Sequence, residues 1–396
     1  MSQAELVSEC FVRPEIEMDE CKRIHHLNPF DLRLLLIVYS QLGFLIIKPS
    51  NFSPFSYYEI LRNSLSKALV HFYPLAGQLV TVPNHADHSC CIHVECSKGL
   101  GARLIHASAH NLTMLQVSRP NLDVLKVINH DGRTRPLLSV QVTEIHDGVY
   151  LGPYFKDSFI QYTLCFNHSI VDGISAFHFL RVWSRIFMGT LSSSIPLPLL
   201  ENPLFCKGGS SSFHTLTRMS LSTEILKVMA NSDATVCKMI TTFEALIAFV
   251  WKSITRARKL PSNELTTIAL PINLRLRFKP PLMNNYFGNY LLKARASTKV
   301  GYLLNNNVGW AATLVQQAVA AQDDTAAREF VERTLDKGIE LVPSTQTFWW
   351  LFEWGDGSVD LDICIAPQAM CDLLLDQRFM SFTSLHNAHF NLISKL

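Results

Sequence analysis

The stretch Phe166-Asn167-His168-Ser169-Ile170-Val171-Asp172-Gly173 decides the fold, because the spacing of apolar residues changes across it. Before the stretch, apolar side chains alternate as in a strand with one buried face, at Ile160, Tyr162, Leu164 and Phe166. After it they recur as on one face of a helix, at Ala176, Phe179, Leu180, Trp183 and Phe187. The sequence therefore predicts a strand, a loop and a helix, with His168 where the strand ends.

His168 is a candidate general base, because imidazole is the side chain best suited to accept a proton near neutral pH. Asp172 follows four residues later, so its carboxylate can orient the ring or brace the loop. Gly173 is expected to permit a tight turn. The chain has 15 histidines, and a single His-x-x-x-Asp pair is more often structural than catalytic. Both interpretations stay open at this point.

Composition indicates a protein with large apolar cores. The chain has 396 residues, of which 48% are hydrophobic and 17% charged, against a usual charged fraction of about 25%. This length suits two large domains. A net charge of +2 gives no indication of nucleic-acid binding. The N-terminus has no signal layout, and the apolar stretch 34–47 is too short to span a bilayer. We therefore expect a cytoplasmic protein without a membrane partner.

Residues 84–96 are the one segment that suggests a metal site. They hold seven possible zinc ligands: His85, Asp87, His88, Cys90, Cys91, His93 and Cys96. As a strand, this segment would place Cys91 and His93 on one face and Cys90 and Cys96 on the other. No second ligand pair follows at the spacing of a zinc finger. The favoured interpretation is a polar turn leading into a strand, with no metal.

The rest of the chain alternates predicted helices and strands. Helices are predicted at 58–72, 241–259, 305–332 and 367–382, and strands at 137–145 and 357–365. Residues 28–47 are predicted as a strand or a strand–turn–strand. Residues 153–158 are expected to lengthen a hairpin next to the site. Residues 191–212 are rich in Ser, Pro and Gly, which is typical of a linker.

Further motifs follow one another in a known order. They are Phe72-Tyr73-Pro74-Leu75-Ala76-Gly77-Gln78-Leu79, Arg135-Pro136-Leu137-Leu138 with Val140-Gln141-Val142-Thr143-Glu144, Phe243-Glu244-Ala245-Leu246 through Trp251, and Tyr286-Phe287-Gly288-Asn289. Asn28-Pro29-Phe30-Asp31-Leu32 and Gln41-Leu42-Gly43 open the series. With the histidine stretch, this pattern resembles the plant BAHD acyltransferases over nearly the whole chain. That family transfers acyl groups from coenzyme A to alcohols or amines.

The resemblance implies an α/β protein of two similar domains. Each would be a mixed sheet flanked by helices, as in chloramphenicol acetyltransferase, with a cavity between them. We expect an N-terminal domain over 1–190, a linker over 191–218 and a C-terminal domain over 219–396. A monomer without a permanently bound cofactor is expected, with acyl-CoA as co-substrate and a small alcohol or amine as acceptor.

The resemblance also implies roles for particular residues. His168 would be the base, Asp172 would hold its loop through an ion pair with Arg275 or Arg277, and Gly173 would leave space for the thioester. Tyr286, Gly288 and Asn289 would form a loop near the cavity. The cations at the end of helix 241–259 either complement the helix dipole or bind the phosphates of coenzyme A: Lys252, Arg256 and Arg258.

One family motif is absent. The D-F-G-W-G segment, expected between the helix ending near Asp336 and the strand from Gly357, does not occur, and Ser344 to Asp356 fill the gap. In the family this loop is thought to brace the fold. The C-terminal domain is therefore expected to be shortened. An inactive relative that binds ligands or partners, or a lyase in the same cavity, stays an alternative because a fold does not fix its chemistry.

Overall fold

The structure is a computed structural model that describes residues 5–17, 19–35, 37, 39–42, 44–47, 54–84, 89–110, 129–146, 148–151, 154–156, 159–161, 164–191, 195–200, 217–221, 223–232, 239–337, 348–353, 359–365 and 367–384. Its contacts define two units. The first comprises Met1–Phe213, Phe278–Leu291 and Arg328–Thr345, and the second comprises His214–Arg277, Leu292–Ala327 and Gln346–Leu396. Two later segments thus belong to the unit that carries His168. The boundaries predicted at 190 and 219 stay a prediction.

Helices occur in both units. Those of the described residues are α1 (Pro29–Leu32), α2 (Pro54–His71), α3 (Gly173–Phe187), α4 (Thr223–Asn231), α5 (Thr242–Ala257), α6 (Val300–Asn305), α7 (Val308–Ala320), α8 (Asp324–Lys337), α9 (Pro367–Leu375) and α10 (Gln377–Met380). Among them, none combines the length and the apolar character that crossing a membrane requires.

Strands of the first unit build one large sheet and two smaller ones. They are β1 (Glu5–Val12), β2 (Ile24–His26), β3 (Ser40–Leu42), β4 (Phe44–Ile47), β5 (Gln78–Asn84), β6 (Ser89–Glu95), β7 (Ala102–Ala109), β8 (Leu138–Ile145), β9 (Gly148–Leu151), β10 (Tyr154–Lys156), β11 (Phe159–Gln161) and β12 (Leu164–Phe166). The large sheet has the order β1-β7-β8-β12-β3, with β9 paired to both β8 and β4. Only β7 and β8 pair in parallel among these strands.

The hairpin predicted around residues 153–158 is confirmed. Strands β10 and β11 pair antiparallel, with Lys156 opposite Phe159. Strand β12 then begins at Leu164 and lies between β8 and β3 in the large sheet. The strand that leads to His168 is therefore an interior strand, and its three residues are all buried.

Aromatic packing fixes α2 and α3 in the first unit. Phe72, which follows α2, contacts Phe179 of α3 and Phe287, each with ring centroids 5.2 Å apart. Phe166 at the end of β12 contacts Phe179 at 5.8 Å. All four rings are fully buried, and burial of each contributes about 1.5–3 kcal/mol. The strand and the helix on either side of His168 thus share one core.

The second unit has its own core and sheets. Its strands are β13 (Thr217–Leu221), β14 (Leu265–Asn273), β15 (Leu291–Lys299), β16 (Phe348–Glu353), β17 (Val359–Cys364) and β18 (Thr383–Ser384), in the orders β16-β17-β13-β18 and β14-β15. Helix α5 starts with a capping box, in which the Thr241 side chain accepts from Glu244 N–H and the Glu244 side chain accepts from Thr241 N–H.

The prediction for residues 28–47 is partly wrong. The segment begins with helix α1, and only residues 40–47 form strands, β3 and β4. The physical reason is local, because Pro29 occupies the first helical position and the Asn28 side chain caps the helix. The helix predicted over 367–382 is also two helices, since Asp376 caps a new start at Gln377.

We predict opposite stability effects for two glycine-to-alanine changes. Gly288 has φ +146°, and a Cβ there would lie 2.8 Å from atoms of the Tyr286 ring and hydroxyl, whereas a Cβ on Gly173 meets nothing within 4 Å. Gly288→Ala should lower the free energy of unfolding by about 1–3 kcal/mol. Gly173→Ala should raise it by about 0.4–1 kcal/mol. Urea denaturation monitored by circular dichroism measures both, and equal effects would contradict the conformation assigned to Gly288.

Candidate active site

His168 lies in a tight turn between β12 and α3. Asn167 N–H donates to the Leu137 carbonyl at 2.9 Å. The Asn167 side-chain oxygen accepts from Ser169 N–H at 3.1 Å and from Ser169 Oγ–H at 2.5 Å. From Leu164 to Asp172, His168 is the one residue that is not buried. The turn therefore presents a single side chain, the imidazole, from an otherwise buried segment.

The His168 imidazole is suited to accept a proton. Burial lowers its pKa from the ordinary value, and the Asp172 charge, backbone hydrogen bonds at His168 and Val171, and the Asn289 side chain only partly oppose this effect. A histidine whose pKa is lowered is mostly neutral at neutral pH. Neutral imidazole is the form that can act as a base.

Asp172 fastens the start of α3. One carboxylate oxygen accepts from Ser175 N–H at 2.9 Å, as a helix N-cap, and the other accepts from Tyr290 N–H at 3.4 Å. Asp172 is buried. Arg277 donates instead to the Val319 and Gln322 carbonyls, at 2.7 and 2.8 Å. The ion pair expected between Asp172 and one of two arginines stays a prediction.

Gly173 is the first residue of α3. The prediction that glycine is needed here to permit a tight turn is wrong. The described residues with positive φ do not include it, so the turn does not require glycine. The position is open instead, because a Cβ built on Gly173 would meet no protein atom within 4 Å. A ligand group can therefore approach the backbone one residue from Asp172.

The predicted loop at residues 286–289 lies against the start of α3. Ser175 Oγ donates to the Gly288 carbonyl at 3.0 Å and accepts from Gly288 N–H at 3.1 Å. The left-handed backbone of Gly288 is one that side chains rarely adopt. The structure therefore brings Tyr286, Gly288 and Asn289 to the histidine turn, within the first unit.

Asn289 links the histidine turn to α1. Its Nδ2 donates to the His168 carbonyl at 2.9 Å and to Asp31 Oδ1 at 3.0 Å, and its backbone N–H donates to the same Asp31 oxygen at 2.8 Å. Asp31 Oδ2 accepts from Asn28 N–H at 2.8 Å. Asn28 Nδ2 donates in turn to the Asn289 carbonyl at 3.2 Å. Three buried polar side chains thus form one network behind His168.

Three residues beside His168 were not predicted to belong to the site: Asn28, Asp31 and Ser175. A signal for two of them was present, because Asn28 followed three residues later by Asp31 is a capping-box spacing with Pro29 at the first helical position. That signal indicates a helix start. It does not reveal that the Asp31 carboxylate accepts a hydrogen bond from Asn289, 258 residues later in the chain.

Two of the three predicted coenzyme A cations have partners in the second unit. Lys252 Nζ donates to carbonyls at the end of α6, those of Leu303, Leu304 and Asn306. Burial, then the charges of Arg256 and Arg378, lower its pKa to about 8. Arg256 pairs with Asp376 at 2.6 Å, and Arg258 is exposed. A role for these three in binding coenzyme A stays a prediction.

Some of the possible zinc ligands belong to residues 83–90, whose side chains lie outside the described part of the chain. Among the side chains that are described, no three of the types His, Cys, Asp and Glu are grouped so that they could hold a metal ion. Residues 338–347 and 354–358, where the D-F-G-W-G segment was expected, also lie outside the described part of the chain.

Asp31 should make stability depend on pH. Burial raises its pKa to about 7, the hydrogen bonds from Asn28 and Asn289 oppose this, and the charge of Asp172 adds to it. A raised carboxyl pKa favours folding below the unfolded-state value near 4, and this contribution is lost as pH rises toward 7. Relative to Asp31→Asn, the parental protein should lose on the order of 4 kcal/mol across that interval. Urea titrations at several pH values measure it, and parallel pH profiles for the two proteins would contradict the burial of an ionisable Asp31.

Comparison with known proteins gives relatives that transfer acyl groups. The chain is 31% identical to an uncharacterized acetyltransferase of Arabidopsis thaliana, over 78% of this chain and 74% of that one. It is 26% identical to the omega-hydroxypalmitate O-feruloyl transferase of the same plant, over 81% and 73%. It is 29% identical to anthranilate N-benzoyltransferase protein 2 of Dianthus caryophyllus, over 70% and 66%.

Solved structures give the same fold at low identity. The crystal structure of vinorine synthase has 18% identity and a TM-score of 0.68, over 96% of this chain and 99% of that one. F. graminearum TRI101 complexed with coenzyme A and T-2 mycotoxin has 15% identity and a TM-score of 0.71, over 91% and 99%. The predicted α/β fold of two domains is therefore confirmed. A family model described as the Transferase family matches residues 11–207 and 214–348. The chain belongs to this family, that of the plant BAHD acyltransferases.

Proposed function

We propose that this protein moves an acyl group from coenzyme A to a hydroxyl or amine of a plant metabolite, with His168 as general base. The observation that carries the proposal is the His168 imidazole, partly exposed in an otherwise buried turn. Its lowered pKa favours the neutral form that a general base requires. Coenzyme A is present in the related TRI101 structure, which supports an acyl-CoA donor. The cytoplasmic location and the monomeric state expected from the sequence stay predictions.

The proposed reaction is direct transfer. His168 takes the proton of the acceptor as its oxygen or nitrogen attacks the thioester carbonyl. The carbon–sulfur bond then breaks, the product keeps the acyl group, and the thiolate leaves and recovers the proton from the imidazolium. Asp172 contributes by holding the start of α3 in place, and the open position beside the Gly173 backbone would receive part of the thioester.

The acceptor can be either an alcohol or an amine. The relatives named above include one O-acyl and one N-acyl transferase, so family membership does not decide between them. Purified protein should be assayed with several acyl-CoA donors against pooled alcohols and amines. Release of free thiol that depends on the acceptor supports a transferase. Ligand binding without turnover would support an inactive relative, and substrate cleavage without coenzyme A would support a lyase.

Removal of the His168 imidazole should abolish most of the activity. General-base catalysis contributes a factor of about 10²–10⁴ to rate, so His168→Ala should lower kcat by that factor while circular dichroism stays unchanged. His71→Ala is the matched control, because burial also lowers the pKa of His71 and this residue lies at the end of α2, away from the histidine turn in the chain. A folded His168→Ala protein with parental kcat would contradict the assignment.

Activity should fall as the pH decreases through the pKa of His168, which lies below 6.5. Only neutral His168 can accept the proton, and its pKa is lowered from 6.5 by burial. The profile of kcat/KM against pH reports this ionisation in the free enzyme. An acidic limb centred well above pH 6.5 would indicate that a different group is the base.

A further inference from the structure

The amide of Asn289 has one orientation that its surroundings permit. A terminal amide has nearly the same shape when its oxygen and nitrogen are exchanged, so only hydrogen-bond partners decide between the two. Asp31 Oδ1 lies 3.0 Å from Nδ2 and also accepts the Asn289 backbone N–H. Every hydrogen bond described for this carboxylate comes from an N–H donor, and the His168 carbonyl, which can only accept, lies 2.9 Å from the same amide nitrogen. The NH₂ group must therefore face Asp31.

The second amide proton is also used. Nδ2 donates to the His168 carbonyl at 2.9 Å, which places the amide beside the histidine. The amide oxygen is then the remaining atom, and among the described residues this buried oxygen has no hydrogen-bond partner. The Asn289 side chain is one of the groups that raise the pKa of His168. An acceptor near the ring has this effect, because it favours the protonated imidazole.

We propose that Asp31 is a positioning residue for His168: its carboxylate holds the Asn289 amide with the oxygen toward the imidazole, so that this oxygen stabilises the imidazolium that forms when His168 takes the acceptor's proton. The inference rests on the proposed function for its catalytic consequence. Asp31 acts through Asn289, and Asp31 is itself held within helix α1 by the capping box that it forms with Asn28. In the reverse orientation, the NH₂ group would face the imidazolium and disfavour it.

Other ionisable groups also face this network in the first unit. Asp172, at the start of α3, acts on both His168 and Asp31 through its charge. The Tyr286 hydroxyl accepts from Asn28 Nδ2 at 3.4 Å. Both are unchanged in the variants below. A change in the titration of His168 can therefore be assigned to the pair that is altered, Asp31 and Asn289.

The test is a direct titration of His168 that does not need activity. Protein labelled at histidine is followed by NMR over pH for the parental chain, Asp31→Asn, Asn289→Ala and the double variant, with His168→Ala assigning the resonance. Loss of the amide oxygen from its place beside the imidazole should lower the pKa of His168 by about 0.5–1 unit in each single variant. The double variant should show no further decrease, because both changes remove the same interaction.

Kinetics at pH 8 give the second readout. The kcat of Asp31→Asn should fall about 10- to 100-fold with a smaller change in KM, as expected when an interaction to a developing charge is lost. Glu244→Gln is the matched control, because it makes the same carboxylate-to-amide change in a buried capping box of the second unit. It should leave the pKa of His168 unchanged.

Specific outcomes overturn the inference. A folded Asp31→Asn protein with the parental His168 pKa contradicts it, as does an additional decrease in the double variant. If Asp31→Asn does not fold, an unchanged His168 pKa in Asn289→Ala contradicts it alone. If the variants shift the pKa as expected but the parental protein transfers no acyl group from any donor, the positioning role stands and the proposed function fails.

Discussion

A buried carboxylate holds the candidate site together. Asp31 accepts N–H groups from two directions, from Asn28 in its own helix and from Asn289 in a loop 258 residues away. The cost of burying this charge is visible in its raised pKa. Such a cost is offset only when donors surround the group. The loop that carries Asn289 and the turn that carries His168 are therefore tied to a rigid helix start.

The histidine turn is held from its other side by α3. Asp172 caps the helix, and Ser175 in the first turn of that helix bonds both backbone groups of Gly288. The aromatic cluster of Phe72, Phe166, Phe179 and Phe287 fills the space beneath. Among the described residues, those that flank the imidazole in the turn and in the loop at 286–289 are thus held by packing or hydrogen bonds. A base held in this way loses little freedom when its substrate arrives, which is how enzymes lower the entropic part of a barrier.

Much of this arrangement could be predicted from sequence. The change from alternating to helical spacing located His168 at the end of a strand, and Tyr286-Phe287-Gly288-Asn289 indicated a glycine-dependent loop near it. The helix that starts after Asn28 could not be distinguished from a strand by its sequence. It has only four residues and is followed by a run of aliphatic residues, which is also typical of a buried strand. The role of Asp31 depends on contacts distant in the chain, and periodicity carries no information about those. Motif order, in contrast, was informative because several motifs had to agree at once.

In the proposed transfer, His168 must lie beside the sulfur of coenzyme A, because the leaving thiolate recovers its proton from the imidazolium. A crystal structure of the protein with coenzyme A bound tests it most directly. The account predicts the thiol sulfur within about 3.5 Å of the His168 ring, the separation expected of groups that react with one another. Coenzyme A bound with its sulfur far from His168, or turned away from the imidazole, would contradict the account.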